Sequence, residues 1–393
     1  MSLSAKLRRI ALNQQGLLKV DSFGRGNQAT LRAIEHLGYV QIDTISVVER
    51  AHHHVLWSRV SNYHPKFLDQ LVKDRKVFEY WFHAASWLPM ADYRYSLPRM
   101  ARINGERNWF ENIDQKLISY ILRRIESEGP LRARDFEDTR QNVKGWWDWK
   151  PAKQALEQLF MQGELMVSRR EGFQKVYDLP ERVLPDWVDT SQPSMDEFAN
   201  YLIDTTLRAH GFATIKSMTY LRKGKKLRNA VLEQLQFRIE TGLLTTMGLG
   251  DNNIVYIEPE LQEKRAPRSR AQVRLLSPFD NVIIQRQRGR EIFSFDYQIE
   301  CYVPQPKRKY GYFCLPILYR DRFVGRIDCK AHRTKKHLEI KSIHMECGVD
   351  EKFVGVFCQE VLSFATFNGC DQIIIQASNS NHLLRQIKSH LSV

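Results

Sequence analysis

The chain has 393 residues, enough for two to four domains with cores of their own. Its 59 Lys+Arg outnumber its 45 Asp+Glu, for a net charge of +14, which points to a polyanionic partner, either nucleic acid or an anionic membrane surface. No apolar run approaches the roughly 18 residues that span a bilayer, and Met1-Ser2-Leu3-Ser4-Ala5-Lys6 lacks the apolar segment of a signal peptide; nucleic acid is the better partner, no membrane partner is expected, and the cytoplasm, in association with the nucleoid, is the expected location.

Residues 4–13 alternate basic and apolar positions and predict a first helix, stopped at Gln14-Gln15-Gly16-Leu17. Residues 21–27 form a loop with two glycines. It is not a phosphate-binding loop, because no Lys-Ser/Thr follows and no strand precedes it. Asn27 is the expected cap of a helix over 28–37, with Leu31, Ile34 and Leu37 at core spacing, and Gly38 ends it at the C′ position. Helix, loop, helix and strand together open a winged-helix unit, a helix-turn-helix variant.

The strand is Tyr39-Val40-Gln41-Ile42-Asp43. Side chains at i and i+2 of a strand share a face, so Gln41 and Asp43 point the same way while Val40 and Ile42 face a core. Ser46 and Glu49 fit a capping box opening a helix that carries Arg50, His54, Trp57 and Arg59. Locally, Asp43 also reads as an ordinary turn or cap residue and Gln41 as a solvated one. His52-His53-His54 looks like a metal site, but adjacent helical positions diverge by about 100° and no H-E-x-x-H is present. No metal is expected.

Residues 63–110 mix ten aromatics, Phe67 to Phe110, with His64, Arg94, Arg99 and other cations. Most of these aromatics should form a core layer, with partial DNA contact around Tyr93-Arg94-Tyr95 and Arg99. Residues 115–178 repeat the winged-helix pattern: a helix over 115–127, a stop at Gly129-Pro130, a helix opened by Pro151, then strand, turn and strand over 164–178 with Arg169, Arg170 and Lys175 on the wing. The preceding Lys144-Gly145-Trp146-Trp147-Asp148-Trp149-Lys150 holds three Trp in four residues, which cannot all face one core, so one is expected at an interface. A third, weaker copy has helices over 195–210 and 226–240 and a hairpin over 243–247 and 253–257, with the basic knot Arg222-Lys223-Gly224-Lys225-Lys226 suited to phosphate.

A charged linker is expected over 260–270. Beyond it, short β runs (Val273–Leu276, Val282–Ile284, Tyr312–Leu315, Phe323–Cys329, Leu338–Ile340) punctuated by turns predict a small antiparallel β-barrel, followed by a helix over 350–368, a strand over 372–376 and a helix over 380–390. All six Cys fall after residue 300 without a C-x-x-C, so reduced, mostly buried thiols are expected. The expected fold class is therefore α+β: winged-helix units at 1–112, 113–190 and 191–262, then a β-barrel with a C-terminal α/β extension at 263–393.

Several blocks resemble the AlkZ/YcaQ family of winged-helix DNA glycosylases: Leu275-Leu276-Ser277-Pro278-Phe279-Asp280, Phe295-Asp296-Tyr297-Gln298-Ile299-Glu300-Cys301-Tyr302-Val303-Pro304, Lys307-Arg308-Lys309-Tyr310-Gly311-Tyr312 and Val324-Gly325-Arg326-Ile327-Asp328, with Gln15-Gly16-Leu17, Gln41-Ile42-Asp43 and Trp146-Trp147-Asp148-Trp149-Lys150-Pro151. The chain departs from the family pattern at Ile284-Gln285. The resemblance implies three winged helices and a β-barrel, a monomer, no cofactor, and excision of N7-alkylated purines from double-stranded DNA with unhooking of interstrand cross-links. It implies a catalytic Gln-apolar-Asp motif of the YcaQ type.

That chemistry suits the residues. N7-alkylguanine is cationic and leaves readily; the remaining need is to stabilise an oxocarbenium-like sugar and deliver water to it. Asp43 is assigned as base and electrostatic stabiliser and Gln41 as the water-positioning group. Arg50, His54, Trp57, Arg59, Arg169, Arg170 and Lys175 are assigned to substrate or DNA binding. The competing reading is a winged-helix transcriptional regulator without enzymatic activity, which would not need the Gln41/Asp43 pair. A nuclease lacks an evident acidic metal cluster.

Overall fold

The computed structural model describes residues 3–105, 113–136, 151–249 and 253–391. Trp109, Phe110 and the Trp146–Trp149 cluster lie outside the described residues, as does the hairpin tip at 250–252. The chain divides into one unit of Met1–His64 with Leu202–Val393 and a second of Pro65–Tyr201.

In the first unit, helix Leu3–Gln14 buries Leu7, Ile10, Ala11 and Leu12 in a core shared with Phe212, Ile292 and Phe295. The next helix runs Gly26–Leu37, two residues earlier than expected: Asn27 lies inside it, and the Gly26 N–H donates to the Asn62 side chain at 3.0 Å. Gly38 ends the helix with φ 78 and its N–H on the Ile34 carbonyl. A Cβ there would also run into the Thr205 methyl, so both backbone and packing demand glycine.

The C-terminal part of this unit corrects the barrel. Its five-stranded sheet is open, with strands in the order Val273–Leu275, Cys314–Tyr319, Arg322–His332, His337–Met345 and Gln372–Ser378. The first four pair antiparallel and the fifth adds parallel to His337–Met345. A parallel neighbour needs a long crossover, supplied here by helix Phe353–Phe367. That helix buries Phe353, Phe357, Val361 and Phe364 in the sheet core, so the apolar face is covered by a helix and not by closure of the sheet on itself. Val282-Ile283-Ile284 is buried but is not a strand. Asp280 holds it in a turn, its carboxylate accepting the Val282 N–H at 3.0 Å and its carbonyl the Ile283 and Ile284 N–H groups. An apolar run of three cannot distinguish a buried strand from a buried turn. The expected linker begins as helix Pro259–Glu263.

Two three-stranded sheets repeat one plan. In the second unit, helix Gln115–Glu128 is capped by Asp114, whose side chain accepts the Lys116 N–H at 2.9 Å. Strand Leu131–Arg132 then joins the hairpin Met166–Glu171/Gln174–Asp178 behind helix Pro151–Gln162. In the first unit, Phe212–Ala213 joins the hairpin Thr245–Leu249/Asn253–Ile257, with helix Lys225–Glu240 between them. Hairpin Val77–Trp81/Ala85–Pro89 carries the aromatic layer of the second unit, where Phe78, Tyr80, Trp87 and Tyr93 are buried. Half of the described aromatics from Phe67 to Tyr95 are thus core, while Phe67, Trp81, Phe82 and Tyr95 are half-buried. Arg94 is engaged by Asp189 and Glu197 at 3.2 Å each. Among the described residues no helix is long and apolar enough to cross a membrane.

Candidate active site

Regular strand structure stops at Val40–Gln41, and Ile42–Ser46 crosses an open turn whose ends are fastened within the first unit. Before it, the Asn281 side-chain amide donates to the Tyr39 carbonyl at 3.0 Å. After it, the Val47 carbonyl accepts from the Ala331 N–H at 2.9 Å, and the Glu49 N–H donates to the Asn368 side chain at 2.7 Å. Val48 and Ala51 enter the sheet core. The Ser46/Glu49 capping box does not form, because the Val47 carbonyl is held by Ala331 and the Glu49 N–H that Ser46 would cap is taken by Asn368. The helix begins only at Ala51, and the Glu49 carboxylate accepts the Arg50 N–H at 2.9 Å instead.

Asp43 sits at the centre of this turn. Its Oδ2 accepts the Ile45 N–H at 2.8 Å, an Asx-type turn. Burial pushes its carboxyl above the ordinary aspartate range, against the opposing pull of the Ile45 and Thr44 N–H groups and the Arg50 guanidinium. A carboxylate that is harder to keep ionised is a stronger base. Gln41 is buried two residues before it. The structure also brings to Asp43 two residues that sequence reasoning left without a role. Burial and the Asp43 charge both raise the Cys301 thiol. Partial burial, Cys301 and Asp43 raise the Tyr302 hydroxyl. The Cys301–Pro304 stretch stood out as a resembling block, but nothing in the local sequence ties residue 302 to residue 43.

The other candidates of this unit turn inward. His54 is fully buried, its Nε2–H donating to the Leu275 carbonyl at 2.8 Å, which leaves Nδ1 as a buried nitrogen with no partner. Burial pushes its pKa down to about 4, partly offset by the Leu275 carbonyl and Asp280, so it is neutral near pH 7 and faces no phosphate. Trp57 stacks on Phe367 with centroids 5.0 Å apart. The buried His52 and His53 pack ring to ring with centroids 4.2 Å apart, and His53 Nδ1 lies 2.7 Å from the Tyr63 hydroxyl, while His54 leaves them for the Leu275 carbonyl. Arg59 is also buried. Its Nη1 and Nη2 donate to the two Asp280 oxygens at 2.7 Å each, its Nη2 to the Gln15 side chain at 2.9 Å and its Nε to the Gln15 carbonyl at 2.8 Å. A guanidinium with these donors occupied holds the unit together and has none to offer DNA.

Buried neutral histidines make this unit acid-labile. A histidine whose pKa falls on folding takes up its proton first in the unfolded chain. Its stabilisation is complete above the unfolded value of 6.5 and is lost as pH falls toward the folded value of about 4 for His54. Lowering the pH from 7.5 to 5 is therefore expected to remove on the order of 2 kcal/mol through His54, with His210, also pushed well down by burial, adding to it. Urea unfolding at the two pH values checks this; an unchanged midpoint contradicts it.

In the second unit the cations of the Met166–Glu171/Gln174–Asp178 hairpin are divided. The Arg170 Nε and Nη2 donate to the two oxygens of the buried Glu79 carboxylate at 2.7 Å each. Lys175 donates to Glu157 at 2.8 Å. Both are consumed by carboxylates of their own unit; Glu79 is fully buried and stable there only when paired, and Glu157 is partly buried. Arg169 bonds Glu171 at 2.9 Å but keeps half its side chain in solvent, and is the hairpin cation of the three that remains exposed.

Comparison with known proteins gives two matches. The family model described as DNA glycosylase AlkZ-like matches residues 34–367. Among solved structures, the chain is similar to the Streptomyces sahachiroi DNA glycosylase AlkZ, with a TM-score of 0.63 and 15% sequence identity over 96% of this chain and 100% of that one. At that identity the structural likeness speaks for the fold alone, and the family match carries the rest.

Proposed function

Because this chain belongs to the AlkZ-like DNA glycosylase family, and is a DNA glycosylase and not a regulator, we propose that it hydrolyses the N-glycosidic bond of N7-alkylated purines in duplex DNA, with Asp43 as general base and Gln41 as the group that orients the water. The observation that supports this is the raised basicity of Asp43 on a turn fastened at Tyr39, Val47 and Glu49. Rigid anchors on both sides hold a carboxylate where a reacting sugar can meet it.

Alkylation at N7 puts a positive charge on the purine, so the base departs with the C1′–N9 bonding electrons as a neutral molecule and needs no protonation by the enzyme. Positive charge then develops on the sugar. The Asp43 carboxylate stabilises that charge and accepts a proton from the water that attacks C1′. The amide of Gln41 is neutral across the working pH range and can orient the water without competing for its proton. The products are the free base and an abasic site in an intact strand. An adduct that joins both strands cannot swing wholly into a pocket, so cross-link unhooking, the wider substrate reading, calls for a site open along the duplex. The two helix–strand–helix–hairpin repeats are read as winged helices, with Arg169 on one wing as a phosphate contact, and the net +14 charge as sequence-independent grip with steep salt dependence.

The test is incubation with a duplex bearing a single N7-methylguanine, then alkali to cleave abasic sites. Strand cleavage that depends on the protein supports the reading; its absence at saturating protein sinks it. Gln41→Ala is expected to lower the single-turnover rate roughly 10²-fold while DNA affinity stays within about twofold. Equal losses in rate and affinity would make Gln41 a binding residue.

A further inference from the structure

Tyr302 is 77% exposed, the most exposed large side chain with an apolar body among the described residues. Ile45, two residues after Asp43, and Ile299 and Tyr312, on the two limbs of the Tyr302 loop, pack against the same sheet core, which agrees with the electrostatic influence of Asp43 on Tyr302, and the loop that carries Tyr302 is fixed. The Glu300 carboxylate accepts the N–H groups of Lys309, Tyr310 and Gly311 at 2.8, 2.8 and 3.0 Å. Asp328 accepts those of Tyr312 and Phe313 at 3.1 and 3.3 Å. Arg308 ties the two limbs through the Val303 carbonyl at 2.9 Å, and the Arg326 guanidinium packs over the Tyr310 ring at 4.0 Å. Gly311 has φ 144, and a Cβ there would collide with the Asp328 carboxylate. Two carboxylates and a glycine thus brace a loop that leaves the Tyr302 ring in water. Lys307 and Lys309 are exposed on the same loop.

We propose that Tyr302 is a base-stacking residue that enters duplex DNA beside the nucleotide presented to Asp43. The inference rests on the reading of Asp43 as the catalytic carboxylate. Cations that track a phosphate backbone beside an aromatic face are the pairing that recognises unstacked nucleotides. A base that tilts away from its neighbours leaves a gap, and the phenol ring, pre-set by the braced loop, fills it without an ordering penalty. An undamaged duplex offers no such gap, so the ring contributes there only weakly, whereas the lysines act on both.

The experiment uses the full chain, with Tyr302→Ala and Tyr302→Phe, and a duplex carrying 2-aminopurine next to a single N7-methylguanine. Binding is followed by 2-aminopurine emission, and base release is followed separately in single turnover. Wild type and Tyr302→Phe are expected to change the emission on binding. Tyr302→Ala is expected to lose that change, to release base roughly tenfold more slowly, and to bind undamaged duplex with the affinity and salt slope of wild type. An emission change in Tyr302→Ala equal to wild type overturns the proposal, as does no change with wild type or its loss in Tyr302→Phe, which keeps the ring. A wild-type emission change without any base release overturns the catalytic reading and leaves the stacking assignment standing, so the two failures are distinguishable. Circular dichroism confirms that the variants, altered at an exposed position, are folded.

Discussion

Replacing Asp43 with asparagine is expected to slow single-turnover release of N7-methylguanine by roughly 10²- to 10⁴-fold, the range lost when a positioned general base is removed, while DNA affinity is retained. Asparagine keeps the shape and can still accept the Ile45 N–H, which holds the turn at 2.8 Å. What it lacks is the negative charge that stabilises a cationic sugar and the basicity that takes the water's proton. The pH profile supplies an independent signature. The wild-type rate should fall on the acid side as Asp43 is protonated, and because burial raises its carboxyl, that fall should begin above the ordinary aspartate range. In Asp43→Asn the limb should vanish. Release by the variant at the wild-type rate would remove Asp43 from the mechanism.

The largest stability effect is expected at Asp280. Asp280→Ala removes both acceptors of the fully buried Arg59 pair and the acceptor of the Val282 N–H. Breaking one half of a buried ion pair leaves an uncompensated charge in the core, a loss of about 3–5 kcal/mol, measurable as a lower urea midpoint. Replacing both partners by apolar residues of similar volume, Arg59→Met with Asp280→Leu, should recover much of that loss, because no charge is then stranded. A midpoint for Asp280→Ala within about 1 kcal/mol of wild type would show that the pair carries little. Asp280→Ala should also lower activity, since its neighbour Asn281 holds the Tyr39 carbonyl two residues ahead of Gln41.

Helices were legible where apolar residues recur with helical period and a cap or glycine closes them: Leu3–Gln14, Gln115–Glu128, Pro151–Gln162 and Met195–His210 follow from pattern and punctuation. Gly38 was legible for the same reason, since a positive φ at a helix end selects glycine. The misreadings share a cause. Ser46 and Glu49 have the spacing of a capping box, but the carbonyl of Val47 is taken by Ala331, a partner 284 positions away, and the local signal loses to that contact. The apolar runs after residue 270 announced strands but not their closure. Whether a sheet shuts on itself or is covered by a helix depends on what Phe353, Phe357, Val361 and Phe364 pack against, and helical periodicity reports only that one face is apolar.

The amino-acid sequence by itself determined that the partner is polyanionic, through an excess of cations that no folding can remove, and supplied the pair proposed for catalysis, an amide and a carboxylate two residues apart at Gln41 and Asp43. Tertiary structure alone decided which neighbours serve that motif. Arg50, His54, Trp57 and Arg59 follow it along the chain and carry the right functional groups, yet His54 and Arg59 are desolvated and spent on Leu275, Gln15 and Asp280, and Trp57 on Phe367. Of the four, Arg50 acts electrostatically on Asp43. The residues that join it there, Cys301 and Tyr302, come from a loop braced by Glu300 and Asp328. Sequence specifies which groups are available. Burial and hydrogen-bond satisfaction, settled only when distant segments meet, determine which of them remain free to react.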